Sequence, residues 1–464
     1  MSEFNPSYAV IKEAIVESLD GNARQDLAPI VTDLELMQSI NRSNWVGSIT
    51  VLDATGSLEN QGFKIRGEEE LTLVIETFDL KMPEPLELRC QIISVTNVQP
   101  IENLTGLMFT LNFISRISYT SGLRRVRDSF RDLKSSEIAE RIFRNYFGRL
   151  SDTTNAANVR RENIPFDGKK FQIRDSNNRH FYLQPSEGLM RTVIPSLMPS
   201  DAMEFLTKRS FSTNSPSCSY RFFETFSAFF FVTDEFLIRR GLDNTNDIEI
   251  FAYNAQNSMD PSNPEIQTNT FKTFSNSSRV NTASDVVSGA YRNRVVEVDL
   301  IRRRVRNIDY YYPEDGDGKY IDMSGRRNSL ETDPHTREFM DETFTEENAR
   351  RFLVFKDYYD ENGQSLRANQ HFAEILQNRT VYEHRLGRTM VQATITGRLD
   401  LRPGSIIQVK VPKFTVVQNP ESPYNEQLSG NYMIVSVSNQ LRENVLNTNL
   451  TLTKYDWSGD YIDV

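Results

Sequence analysis

Two stretches far apart in this chain alternate apolar and polar side chains with a period of two. Over residues 30–119, Ile49 and Val51, then Leu71, Leu73 and Ile75, then Leu86, Leu88, Cys90 and Ile92, then Phe109, Leu111 and Phe113 fall on every second position. The segment "VQATITGRLDLRPGSIIQVKV" at residues 391–411 does the same through Val391, Ala393, Ile395, Leu399 and Leu401, and again through Ile407, Val409 and Val411. Successive side chains of a strand point to opposite faces, so this pattern predicts antiparallel sheets with one face buried. Gly47, Gly56, Gly62, Gly67, Pro83, Pro85 and Gly106 cut the first run into short strands, and Pro403-Gly404 supplies a turn in the second. The other face of that second run, with Thr394, Thr396, Arg398, Gln408 and Lys410, is expected to stay free to meet neighbours or line a channel. On that reading Leu399→Asp costs several kcal/mol, whereas Arg398→Ala costs under about 1 kcal/mol.

Helical spacing occurs elsewhere. Tyr8, Ile11, Ile15 and Leu19 behind Pro6 predict an N-terminal amphipathic helix. "SSEIAERIFRNYFG" from Ser135 predicts another, with Ser as cap, Glu137 in the first turn and Gly148 as stop. "PSDAMEFLTKR" predicts a third, capped by Ser200, over a buried hairpin made by the aromatic run "YRFFETFSAFFFV" from Tyr220. "NQHFAEILQNRTVYEHRLG" from Asn369 predicts a fourth, packed through Phe372, Ile375, Leu376 and Tyr382, and "TEENARRFLVF" is a charged helix candidate.

The 464 residues exceed one domain of about 100 to 150 residues. The strands expected at residues 390–401, 405–411, 432–437 and 450–455 echo those of residues 45–115, which points to two copies of one β domain. The expected fold class is α+β, mainly antiparallel β, with two β domains that the residues alone read as small barrels or sandwiches and the resemblance given below as tube-like β-barrels, an intervening α+β domain and a charged insertion. The expected division is an N-terminal helical extension at 1–29, a first tube-like β domain at 30–119 and an α+β domain at 120–245. A second tube-like β domain follows at 246–312 and 366–464, interrupted by the insertion at 313–365.

Reactive chemistry is sparse. No nucleophile elbow, zinc-protease helix, phosphate loop or dinucleotide fingerprint is present, so no catalytic, cofactor-binding or metal residue is assigned. His180, His335, His371 and His384 are scattered, and Cys90 and Cys218 read as ordinary thiols. "DGDG" at residues 315–318 lacks the order of a calcium loop and reads as a turn. Arg292, Arg294, Arg302, Arg303, Arg304 and Arg306 gather beside Tyr310, Tyr311 and Tyr312. The arginines read either as a contact for phosphate or an acidic partner, or as a strand edge that arginine protects from sheet-to-sheet pairing, and the tyrosines either as a surface that stacks on a ligand or a base, or as half core and half interface. A net charge of −10 argues against a general nucleic-acid binder, and the longest apolar runs fall short of a membrane span. The N-terminus has no signal-peptide pattern, so the chain is expected to stay in a cytoplasm-like compartment until assembly.

The segments "TITGRLDLRPGSIIQVKV", "GNYMIVSVSNQLRENVLNTNLTLTKYDW" and "NQHFAEILQNRTVYE" resemble the C-terminal half of the baseplate central hub proteins of T4-type contractile phages. "SGAYRNRVVEVDL" and "LMQSINRSNWVGSITVLDATGSLENQGFKIRGEEELTLVI" resemble earlier parts of that family, in the same order. The resemblance implies a structural homotrimer, with no enzymatic activity, located in the virion tail baseplate and assembled in the host cytoplasm. Its ring would adapt the hexameric tail tube protein to a threefold central spike protein and leave a channel through which genomic DNA passes without specific binding. Tape measure and baseplate wedge proteins are further candidate partners. The hub module of type VI secretion spikes and contractile bacteriocins is similar and forms the alternative, with a tail-associated cell-wall hydrolase as a third reading. The net negative charge would then keep DNA from sticking to the channel.

Overall fold

The computed structural model describes residues 7–454 except 19–20, 22, 57, 59–64, 78–81, 83, 102–105, 153–167, 175–178, 216, 244–247, 254–267, 278–291, 301–302, 312–349, 357–370, 387–389, 414–423 and 426–427. The first β unit holds β1 (Ala9–Glu17), β2 (Arg24–Asp26), β3 (Val31–Ser39), β4 (Val46–Asp53), β5 (Glu70–Thr77), β6 (Leu86–Pro100) and β7 (Leu107–Ser115). They lie in the order β2-β1-β5-β6-β7-β4-β3, antiparallel throughout, as the period-two reading requires.

The N-terminal helix expected within residues 7–19 is not formed. Those residues make β1, which pairs with β5 along its whole length. A bulge between Ile11 and Glu13 shifts the register, so Ala9 and then Ala14, Ile15 and Val16 are buried. The shift erases the alternation that would have marked a strand and leaves a spacing that imitates a helix.

The middle unit begins with α1 (Arg116–Gly122), whose cap Ser115 accepts a hydrogen bond from the Ser118 N–H. It continues with β8 (Ser129–Lys134), α2 (Ser135–Ile142), β9 (Leu150–Asp152), β10 (Lys169–Ile173), β11 (His180–Leu183), β12 (Leu189–Val193) and α3 (Pro199–Thr207). The predicted aromatic hairpin is present as β13 (Tyr220–Glu224) and β14 (Ala228–Thr233), followed by α4 (Asp234–Asp243). Neither expected serine is the cap, which moves one position to Lys134 in α2 and two positions to Met198 in α3. Lys134 caps α2, its N–H held by the Glu137 carboxylate, and Pro199 opens α3 after Met198. Stacked rings of Phe143, Phe147 and Phe181 form the centre of this unit.

The second β unit consists of β15 (Glu249–Tyr253), β16 (Thr270–Asn276), β20 (Met390–Thr396), β21 (Ile406–Lys410), β22 (Gly430–Arg442) and β23 (Val445–Lys454). The order β22-β21-β15-β16-β20-β23 returns to β22, closing a six-stranded barrel. β17 (Arg292–Asp299), β18 (Arg304–Tyr311) and β19 (Arg350–Lys356) stand outside it as a separate three-stranded sheet, although the expected division assigned residues 292–311 to the barrel. The helix expected at "TEENARRFLVF" is replaced over residues 350–356 by β19, whose Phe352, Val354 and Phe355 suit a strand. The fourth predicted helix is α5 (Phe372–Leu386), whose Phe372, Ala373 and Leu376 pack on Val295 and Ile308 of the small sheet.

The two β units share strands. Residues 436–442 of β22 pair with β3, and the β22–β23 turn meets the start of β1 through Ala9 N–H to Asn444 O and Leu446 N–H to Ser7 O. The tip of this hairpin thus seals the first unit: Leu441 and Leu446 lie in its core with Leu36, Trp45 and Phe113. Leu441→Ala is expected to cost about 2 to 3 kcal/mol, readable as a lowered denaturant midpoint, because the cavity opens where two units meet. No helix among the described residues is long and apolar enough to cross a membrane.

Candidate functional site

The two strands expected within residues 391–411 are present but do not pair with each other. β20 pairs with β16 and β23, while β21 pairs with β15 and β22. The segment's two central leucines serve different cores, Leu399 the first unit and Leu401 the barrel. The Pro403-Gly404 turn is present, with Gly404 at φ +85°, a conformation that favours glycine.

Arg398, expected on the open face, is fully buried. Its Nη1 donates to Glu249 Oε2 at 2.9 Å and to Asn269 Oδ1 at 2.8 Å, and its Nη2 donates to Glu249 Oε1 at 3.1 Å. Nε and Nη2 also grip Asp400 Oδ1 and Oδ2 at 2.6 and 2.5 Å. Burial opposes the charge, but the hydrogen bonds and charges of Asp400 and Glu249 outweigh it and raise the arginine pKa. Gln408 and Thr396 are also buried, and Lys410 lies over the Tyr424 ring. Of the five residues predicted for an open face, only Thr394 lies on the extended surface described next.

That surface is built by register. Side chains facing away from the cores run from Ser94 and Thr96 on β6 to Asn112 and Thr110 on β7, Ser48 and Thr50 on β4, and Glu35 and Asp33 on β3. The row continues through Gln440 and Ser438 on β22, Asn447 and Asn449 on β23, Thr394 on β20 and Thr273 on β16. Eight neighbouring strands from both β units therefore form one wall faced mostly with hydroxyls and amides. Cross-strand hydrogen bonds lace it: Asn112 Nδ2 to Ser94 and Thr96, both 3.0 Å, Ser438 Oγ to Glu35 at 3.0 Å, and Thr394 Oγ1 to Asn449 Oδ1 at 2.8 Å. The cations near it are engaged, Arg442 with Asp33 at 2.8 Å and Lys272 with Asn447 at 2.8 Å.

Two more buried ion pairs follow, the first within the middle unit and the second tying that unit to the first β unit. Arg179 meets Glu224 at 2.7 Å, and Ser118 from the start of α1 donates to the other Glu224 oxygen at 2.8 Å. Burial raises the Glu224 pKa against the pull of Arg179, and burial together with Glu224 raises that of Cys90 in β6. Arg221 bridges Asp234 at 2.6 Å and Asn41 of the first unit at 2.7 Å, while burial and Asp234 raise the pKa of Tyr382 in α5.

The structure does not gather the histidines. His371 stacks on Phe211 at 4.2 Å, His180 lies near Tyr182 on β11, His384 is in α5, and His335 lies outside the described residues with "DGDG". Arg303, Arg304 and Arg306 are exposed at the start of β18, which carries Tyr310 and Tyr311, whereas Arg302 and Tyr312 lie outside the described residues. Among the described residues no three His, Cys, Asp or Glu are placed to hold a metal.

No protein-family model and no curated protein matches the chain. Among solved structures it is similar to the 43 kDa tail protein of prophage MuSo2 from Shewanella oneidensis, with TM-score 0.49, 10% identity and coverage of 96% of this chain and 99% of that one. It is also similar to a tail protein from Neisseria meningitidis, with TM-score 0.47, 8% identity and coverage of 97% and 98%. A third is an E. coli type VI secretion component, itself described as similar to T4 bacteriophage tail proteins gp27 and gp5, with TM-score 0.38, 10% identity and coverage of 97% and 77%. The first two of these are tail proteins and the third is a component of a secretion system.

Proposed function

We propose that this chain is the structural hub of a contractile tail baseplate, a homotrimeric ring adapting a hexameric tail tube to a threefold central spike. The observation that carries the reading is the eight-stranded wall shared by both β units. It ends in two edges: residues 93–100 of β6 pair only with β7, and residues 273–276 of β16 pair only with β20, among the described residues. The β6 edge holds no charged residue from Ile92 to Ile101, although two bulges and Pro100 interrupt it. Different edges at opposite ends suit head-to-tail association, which closes into a ring when the rotation per subunit allows. Each chain supplies two β units, so three chains give six staves, matching a hexameric tube on one side and a threefold spike on the other.

A wall of hydroxyls and amides, with its neighbouring cations already engaged, offers phosphates little to bind and suits an axial passage for DNA. The tail tube and central spike proteins are the direct partners on this reading, with tape measure and wedge proteins beyond them, and the site of action is the virion baseplate after assembly in the host cytoplasm.

Native mass spectrometry tests the ring. The expected species is a trimer, and Ile93→Lys combined with Val98→Lys, both exposed on the β6 edge, is expected to give a folded monomer. A wild-type chain that stays monomeric at assembly concentrations with tube and spike proteins present contradicts the proposal, as do edge variants that still form trimers.

A further inference from the structure

The small sheet β18-β17-β19 has one face on α5 and a second face that carries exposed apolar side chains. Val295, Glu297 and Asp299 occupy the buried side of β17, so Val296 and Val298 belong to the other. Register places Val305 of β18 beside Val298 and Leu353 of β19 beside Val296 on that second face. Val305 is 67% exposed, Leu353 60%, and Leu300 in the β17–β18 turn 64%, among the most exposed large apolar side chains described. Single exposed apolar residues need no explanation, but here they share one small sheet.

The arginines make this face unusual. Arg303, Arg304 and Arg306 are exposed around Val305, and no ion pair joins any of them to a described residue. Register sets Asp299 opposite Arg304 and Glu297 opposite Arg306, but both carboxylates are buried while the arginines reach outward, and no ion pair joins them. β18 is also an edge strand among the described residues, so no described strand pairs with its outer backbone N–H and C=O groups. Arginine by itself would merely protect that edge. The adjoining Val305, Leu300 and Leu353 are the opposite of protection, because they reward a partner that covers them.

We infer that the β18 edge and its apolar face form a docking site for an extended acidic segment of a partner protein, added as a strand. Alternate carboxylates of that segment would pair with Arg304 and Arg306, and its apolar side chains would cover Val305 and Leu353. A protein strand suits the edge and its exposed aliphatic side chains, and a net charge of −10 disfavours nucleic acid. This site is separate from the eight-stranded wall, so it stands or falls independently of the ring.

The test uses the full chain and a fluorescein-labelled peptide alternating Glu and Val, read by fluorescence anisotropy. Saturable binding that weakens with added salt is expected, and unlabelled oligo-glutamate of equal charge should compete poorly. Arg304→Gln with Arg306→Gln, which adds no like charge opposite Asp299 and Glu297, and separately Val305→Glu, should each weaken binding by about tenfold or more while leaving thermal unfolding unchanged. Absence of peptide binding to the wild-type chain overturns the inference, as does equal competition by oligo-glutamate or wild-type affinity in the variants. Tight binding of a single-stranded oligonucleotide lost in the arginine variant would reassign the site to nucleic acid. Concentration-dependent self-association lost in Val305→Glu would reassign it to a second copy.

Discussion

Arg398→Ala is expected to lower stability by about 3 kcal/mol, read as a shift in the denaturant midpoint at unchanged slope. The side chain is fully buried, and its loss strands Glu249 and Asp400, whose side chains are 29% and 14% exposed. That residual exposure keeps the cost at the low end for a broken buried pair, since water screens the abandoned carboxylates. Arg398→Lys should recover only part, because an ammonium cannot bridge two carboxylates with a planar fork. An alanine variant within about 1 kcal/mol of wild type would show that the Glu249 and Asp400 contacts do not hold the barrel.

Arg179→Ala should cost about 3 to 5 kcal/mol near neutral pH, and the deficit should shrink on acidification. Both partners are buried, Arg179 at 8% and Glu224 at 0% side-chain exposure. Glu224 already has a folded-state pKa above its ordinary value, from burial acting against Arg179. A raised carboxylate pKa means the folded state binds the proton more readily than the unfolded one. Its contribution is present below the ordinary carboxylate pKa and is lost as pH rises through the folded value. Without Arg179 the folded pKa climbs further, so the variant gains more from acid than the wild type does. Unfolding midpoints across the range from neutral to mildly acidic pH check this, and Glu224→Gln in the Arg179→Ala background should flatten the dependence. A deficit that grows with acid would reverse the sign of the argument.

Strand content was legible wherever alternation ran unbroken, as in β4, β5, β7 and the start of β20, because one buried face enforces it. It was not legible in β1, where the bulge after Ile11 hides the period. Arg398 was misread for a related reason. β20 ends at Thr396, and the Arg398 N–H leaves the ladder to donate to Thr448 Oγ1 at 2.9 Å, so the inside-outside count no longer applies. Its partner Glu249 lies far upstream, and nothing local announces the pair. The wall was only half visible: each strand shows its Ser, Thr or Asn positions, but the pairing of β22 with both β3 and β23 is a property of topology. The sign on β17 was hidden too, since Glu297 and Asp299 take the buried side that Val296 and Val298 would have been expected to hold.

The central claim is that the eight-stranded wall faces the bore of a threefold ring. An electron cryomicroscopy map of the purified chain, with spike protein added if the ring needs it, measures this directly. The account predicts three copies around an axis, with Thr50, Thr110 and Thr394 turned toward the channel and the β6 edge of one copy beside β16 of the next. A ring with those threonines on its outer surface, or particles that remain monomeric, would contradict it.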